Sequence, residues 1–221
     1  MKERNLLQEP CWTSEDLGEA LPPSPHAVSV ALPRWQDVID YEEKNDKCLQ
    51  ALQSIYPRFG LNPLVSEVAK KASDSNIFRQ CFGWPFPNQN VAQKALEHCL
   101  KSTNGDAIIK EVLGLSCLIT DEKACAPAKA FWQHTGLGAS SRQAAIALNK
   151  EKAPSLKEGE GARVILRKRL ADIYNCHPGL VQLHPSGMAA LTTAIGAINR
   201  LHPNRPVLQI GFPYVDVLKL P

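Results

Sequence analysis

The sequence predicts an α/β fold with a mostly helical N-terminal extension, and three observations carry that expectation. Near the C-terminal end a short apolar run, Leu180-Val181-Gln182-Leu183, leads through His184-Pro185-Ser186-Gly187 into a small-residue helix from Met188 to Asn199, and then to Pro206-Val207-Leu208-Gln209-Ile210. Strand, turn, helix and strand in that order read as a right-handed parallel crossover, the unit of an α/β sheet rather than of a helical bundle. Upstream, apolar residues recur at helical spacing in several separate segments. The composition agrees: 221 residues, 44% hydrophobic and 21% charged, suit one large or two small domains. No run of about 18 apolar residues occurs, which argues against a membrane span, and the apolar content argues against wholesale disorder.

Each element has its own justification. The N-terminus, Met1 to Glu19, carries Lys2, Glu3, Arg4, Glu9, Glu15, Asp16 and Glu19, too many charges for a secretory signal and too many acids for a transit peptide. A cytoplasmic location with reduced thiols is therefore expected. The seven cysteines are odd in number, with no CxxC pair and no histidine at zinc-finger spacing, which argues against a disulfide framework or a metal site. Prolines number 17 of 221, about 8% against the roughly 5% expected, and they punctuate the chain. Pro33 stands where the first turn of a helix accepts it, so 34 to 54 reads as helical. Asn62-Pro63 reads as an N-cap followed by the first helical residue, with Leu64, Val65, Val68, Ala69 and Ala72 giving a helix over 64 to 73.

The stretch Trp84-Pro85-Phe86-Pro87-Asn88-Gln89-Asn90 reads as a loop, because neither proline can donate a backbone hydrogen bond. Val91, Ala95, Leu96, Cys99 and Leu100 mark an amphipathic helix, and 108 to 119 is a buried strand or a helix, between which periodicity does not arbitrate. Helices are expected over Glu122 to Gln133 and Ser140 to Asn149, with 150 to 161 as a connector. From 162, Val164, Ile165, Leu166, Leu170, Ile173 and Tyr174 form an apolar helix face opposed by Arg167, Lys168 and Arg169, a basic triplet read as a solvated face.

The formal net charge of +3 names no partner, neither nucleic acid nor membrane. Ser186-Gly187-Met188 falls at a helix N-terminus beyond a strand, where α/β folds collect anions: glycine lets a phosphate approach the backbone, and a serine hydroxyl caps the helix or donates to the anion. A cap and a turn alone would equally explain these three residues.

Several such pieces occur together and in order. Tyr56-Pro57-Arg58, with Asn62-Pro63 downstream, resembles the YxR and NP pattern of the cystathionine γ-synthase group of pyridoxal-phosphate enzymes, and Ser186-Gly187-Met188-Ala189-Ala190 resembles that group's SGMAA phosphate loop. Ser24 to Val30, Leu32 to Val38, Phe131 to Arg142 and Gly211 to Lys219 resemble segments of its fungal-type long branch, so the likeness runs from about residue 18 to the last residue. The resemblance implies a partial fold-type-I, aminotransferase-like architecture with an incomplete sheet. Residues 1–75 would be an N-terminal extension and YxR arm, 76–161 a branch-specific α/β insertion, and 162–221 the truncated start of the large cofactor-binding domain.

For the site, the resemblance implies that Tyr56 and Arg58 hold the phosphate of pyridoxal 5'-phosphate from a neighbouring subunit, Arg58 as a bidentate fork. Ser186, Gly187 and Met188 would bind it from their own subunit, and an aromatic, Phe212 or Tyr214, would stack on the pyridine. Trp132, His134 and Arg142 lie in a branch-typical segment and are candidates for substrate contact or for structure. No metal is implied. The lysine that forms the aldimine with the cofactor is absent from the chain: after Gly187 the only lysine is Lys219 and the only aspartate Asp216, neither in the family's context.

The implied parent activity is trans-sulfuration in methionine biosynthesis, a γ-replacement in which cysteine displaces the acyl group of an O-acylhomoserine, with this chain expected to be an inactive N-terminal fragment. The parent would be a homo-oligomer. The alternatives are a non-catalytic half that pairs with a complementing C-terminal half, or an unrelated phosphate-binding α/β protein.

Overall fold

A computed structural model describes residues 4–57, 59–74, 77–203 and 205–220. Its centre is a three-stranded antiparallel sheet built from β3 (Phe82–Phe86), β4 (Ala107–Val112) and β5 (Leu115–Thr120), in the order β3-β5-β4. β5 is buried along its whole length. One side of the sheet packs on α4 (Gln89–Ser102) and α5 (Glu122–Thr135), with Trp84, Phe86 and Leu118 meeting Ala92, Ala95, Ala124, Ala128 and Phe131. The other side packs on α3 (Pro63–Ser73) and α6 (Ser141–Ala147), where Leu115, Cys117 and Ile119 meet Val65, Val68, Ala72 and Ala144. Alanine at the helix positions lets backbones approach closely: a Cβ at Gly83 would run into the Ala69 carbonyl oxygen and the Ala72 methyl.

The N-cap reading at Asn62-Pro63 holds. Asn62 accepts from the Leu64 amide at 2.9 Å with Pro63 in the first turn, and Asn88 and Asp121 cap α4 and α5 in the same way. The 108 to 119 ambiguity resolves as a hairpin. Leu113 and Gly114 both have positive φ, the geometry of a tight two-residue turn between twisted strands. Because β5 is covered on both faces its pattern does not alternate, which is why periodicity could not identify it.

Four expectations are corrected. Trp84-Pro85-Phe86 is strand, not loop: Pro85 pairs opposite Cys117 in an edge strand, the one sheet position where a missing donor costs little. The 34 to 54 helix is two, α1 (Trp35–Glu42) and α2 (Asp46–Ala51), broken where Lys44 turns left-handed and Asn45 caps the second. The connector is shorter, since α7 (Leu156–Tyr174) starts at the Ser155–Glu158 capping box. Finally, the parallel crossover is absent among the described residues. Segments 180–183 and 206–210 pair with nothing, every strand pair is antiparallel, and α8 (Gly187–Leu201) docks on α5 instead. An apolar run becomes a strand only where a neighbour takes up its backbone groups. The architecture is thus mixed helix and sheet, with the order helix–sheet–helix in its core.

The apolar face expected on α7 is present but uncovered. Val164, Ile165, Leu166 and Ile173 are exposed, and so are Leu191 and Ile198 on α8 and Val207, Leu208 and Ile210 beyond it. Ahead of the core, β1 (Ala20–Leu21) and β2 (Ser29–Val30) form a small antiparallel ladder. There Arg4 bonds Asp16 at 2.6 Å and Glu19 at 3.1 Å, and its guanidinium holds the Asp16 carboxyl down at about 2. No helix among the described residues is long and apolar enough to cross a membrane.

The core thiols give this packing a pH signature. Burial pushes Cys99 up to about 11 and Cys117 up to about 12. In the unfolded chain both ionise near about 8.5. Above that pH the folded state therefore binds more protons than the unfolded one, and stability falls as pH rises. Urea midpoints are expected to drop between about pH 8.5 and 11, and the Cys99→Ala/Cys117→Ala chain to show a shallower drop.

Candidate functional site

A cavity of about 400 Å³ opens where six pieces of the chain meet. Its walls come from the His26 to Val28 strap, the turn from Ile55 to Asn62, the C-terminal end of α5, the start of α6, the N-terminus of α8, and Tyr214 to Asp216. Sequence-distant pieces converge here because α5 and α6 lie on opposite faces of the sheet and the Gly136 to Ser140 link carries the chain around its end. Gly138 leaves room for the Trp132 indole, which backs the cavity.

α8 presents its amino end to this space. Ser186 is the N-cap: its hydroxyl accepts from the Ala189 amide at 3.1 Å and donates to the Gly136 carbonyl at 3.4 Å. The amides of Gly187 and Met188 belong to the first turn, where no intrahelical acceptor exists, and the macrodipole adds positive potential. A Cβ at Gly187 would have no neighbour within 4 Å, so the backbone there is open to an incoming group. Gly136 makes the docking possible: its φ is +65°, and a Cβ on it would press on the Ser186 hydroxyl and the Met188 side chain.

Of the residues singled out from sequence, Tyr56, Ser186, Met188 and Tyr214 line the cavity, while Gly187, between Ser186 and Met188 in the chain, is not itself part of the lining. Arg58 lies outside the described residues. Phe212 is fully exposed and absent from the cavity wall, so of the two candidate rings only Tyr214 stands at the site. Trp132 and Arg142 line the cavity too, whereas His134 lies behind it, with Nδ1 3.2 Å from Asp216 Oδ1 at ion-pair separation rather than in an aligned hydrogen bond. That buried contact anchors the C-terminal segment to α5 and so brings Tyr214 to the wall. Sequence reasoning missed His26, which touches both Ser141 and Glu151. No local signal points to it, since its partners are more than a hundred residues away.

Comparison with known proteins gives related proteins but no family model and no solved structure that matches. The chain is 29% identical over 157 residues to cystathionine gamma-synthase of Saccharomyces cerevisiae, covering 62% of this chain and 24% of that protein. It is 28% identical over 162 residues to cystathionine gamma-synthase of Neurospora crassa, covering 58% and 25%. A third relative, L-2-amino-4-chloropent-4-enoate dechlorinase/desaturase of Streptantibioticus cattleyicolor, is 27% identical over 219 residues, covering 90% and 42%. The chain is thus similar to cystathionine γ-synthases and cystathionine γ-synthase-like enzymes, and it spans between about a quarter and a half of the length of these relatives.

Gly136 is the joint on which the site depends. Gly136→Ala forces a left-handed alanine, at about 1–2 kcal/mol, and adds the clash with Ser186. The melting temperature is expected to fall, and amide exchange in the first two turns of α8 to accelerate while that of β5 keeps its order of protection.

Proposed function

We propose that this chain supplies the phosphate-holding part of a cystathionine γ-synthase-type, pyridoxal-phosphate-dependent enzyme of trans-sulfuration. The observation that supports it is the open amino end of the 15-residue α8 at a cavity also walled by Tyr56 and Tyr214. Two first-turn amides, an approach free of a Cβ and two phenols suit a phosphate ester carried on a flat ring. Gly187 and Met188 would take the phosphate through their backbones, Ser186 would hold the helix end rigid, and Tyr214 would lie against the ring. Arg58 would add its guanidinium to the same phosphate. Bound pyridoxal phosphate supplies an electron sink for the substrate carbon next to nitrogen.

No lysine is found among the described residues lining the cavity, so no lysine-dependent step with the cofactor is assigned to this chain. In the parent reaction, γ-replacement, a cysteine thiol takes the place of the acyl group of an O-acylhomoserine such as O-succinylhomoserine. A cytoplasmic location fits that metabolic role. Residues 162–221 would begin the cofactor-binding domain, and the whole enzyme would be a homo-oligomer.

A second reading has its own support. The exposed apolar side chains of α7 and α8, in a chain that spans less than half of its relatives, favour a non-catalytic half that pairs with a complementing C-terminal half.

Titration with pyridoxal 5'-phosphate followed by tryptophan fluorescence is expected to saturate, with inorganic phosphate competing. Gly187→Val, which meets open space in the fold, is expected to weaken binding about tenfold or more while leaving the melting curve in place. Borohydride reduction is expected to fix no single lysine. Equal binding of dephosphorylated pyridoxal, or an unaffected Gly187→Val chain, would contradict the phosphate role; binding of phosphate without preference for the pyridoxal ester would favour a general phosphate-binding protein.

A further inference from the structure

Beside the α8 end, the same cavity carries a constellation that phosphate binding does not use. His26 Nδ1 lies 3.0 Å from Ser141 Oγ, and its Nε2 lies 2.6 Å from Glu151 Oε1. Both His26 and Ser141 face the cavity, whereas Glu151 stands behind the imidazole. Three chain segments 115 and 125 residues apart thus place a hydroxyl, an imidazole and a carboxylate in one line.

The imidazole is held firmly. Its side chain is 9% exposed, the His26 amide donates to Ser24 Oγ at 3.2 Å, the Asn62 side-chain amide donates to the neighbouring Pro25 carbonyl at 3.0 Å, and the Ser54 hydroxyl donates to the Ala27 carbonyl. We propose that Ser141 is an activated nucleophile, with His26 as its base and Glu151 as the positioning residue, and that it accepts acyl groups from small carboxylic esters.

The short contact to Glu151 keeps the proton on Nε2, which leaves Nδ1 as the acceptor facing the hydroxyl. The ring nitrogens are used in the order opposite to the common serine triad, but the requirement is only that one nitrogen accept while a carboxylate holds the other's proton. As Ser141 Oγ bonds to the ester carbonyl carbon, its proton passes to His26 Nδ1. The bond to the leaving oxygen then breaks, and the alcohol departs with that proton. Water repeats the sequence on the acyl-serine, releasing the carboxylic acid and the free hydroxyl.

The other cavity serines are already committed. Ser140 exchanges hydrogen bonds with Gln143, and Ser186 caps α8, neither against an imidazole. Arg142, which also lines the cavity, favours an ester that carries an anionic group. About 400 Å³ admits a small molecule rather than a lipid or a peptide segment.

The test is labelling of the full folded chain with a fluorophosphonate probe, mapped by peptide mass, beside turnover of p-nitrophenyl acetate. One adduct per chain is expected, on the peptide containing Ser141 and not at Ser140 or Ser186. Ser141→Ala, which removes one oxygen, is expected to abolish it, and His26→Asn to slow labelling by roughly 100-fold or more. Glu151→Gln is expected to slow labelling with an unchanged melting curve, and Glu151→Asp to restore part of the rate, a pattern that a merely structural clasp would not give. Absence of an adduct on the folded wild-type chain, labelling that survives Ser141→Ala, or a rate indifferent to Glu151→Gln would each overturn the assignment. Should His26→Asn unfold the chain, the Ser141→Ala and Glu151 results decide alone.

Discussion

The burial of β5 on both faces is the constraint from which the rest of the structure follows. A central strand with no solvent face needs a helix layer on each side, and the alanine positions of α3, α4, α5 and α6 let those layers sit close. Once α5 and α6 are fixed on opposite faces, the Gly136 to Ser140 link must wrap the end of the sheet. That link carries the joint for α8 and backs the cavity. Asn62, which caps α3 on the sheet, also donates to Pro25 and so ties the N-terminal strap to the same rim. The site is therefore a product of how the sheet is covered rather than of any one loop.

Much of this was legible in the residues, for local reasons. Caps are read from single side chains, so Asn62-Pro63 and Ser186 each mark a helix start that the structure contains. Helix faces with i, i+3, i+4 spacing, such as Val65, Val68, Ala69 and Ala72, were equally readable because the spacing that sets them on one face depends on helix geometry alone. What could not be read depends on neighbours. Pro85 forbids a helix but not an edge strand, and only the presence of β5 beside it decides between strand and loop. Leu180 to Leu183 and Pro206 to Ile210 have strand-like composition but no strand beside them to pair with. For the site, Ser186-Gly187 was visible as a pattern, whereas the convergence of His26, Ser141 and Glu151 left no trace in spacing.

The two halves of the molecule differ in how well they are covered. From Asn62 to Ala147 the chain closes around its own sheet, and the large apolar side chains of β3 and β5 are inside it. From Leu156 onward α7 and α8 hold helical form through capping, yet Ile173, Leu201 and Ile210 remain outside. A surface of that kind marks an interaction site or an aggregation liability. The buried contact between His134 and Asp216 is what ties the C-terminal segment to the closed half, and the amino end of α8 is oriented from that side.

The central claim is that this amino end grips the phosphate of a pyridoxal ester. Backbone amide shifts in a nuclear magnetic resonance titration test it directly. The account predicts that pyridoxal 5'-phosphate moves the Gly187 and Met188 resonances first and furthest, and that dephosphorylated pyridoxal leaves them in place. Shifts confined to surface lysines, or the same response to both compounds, would contradict it.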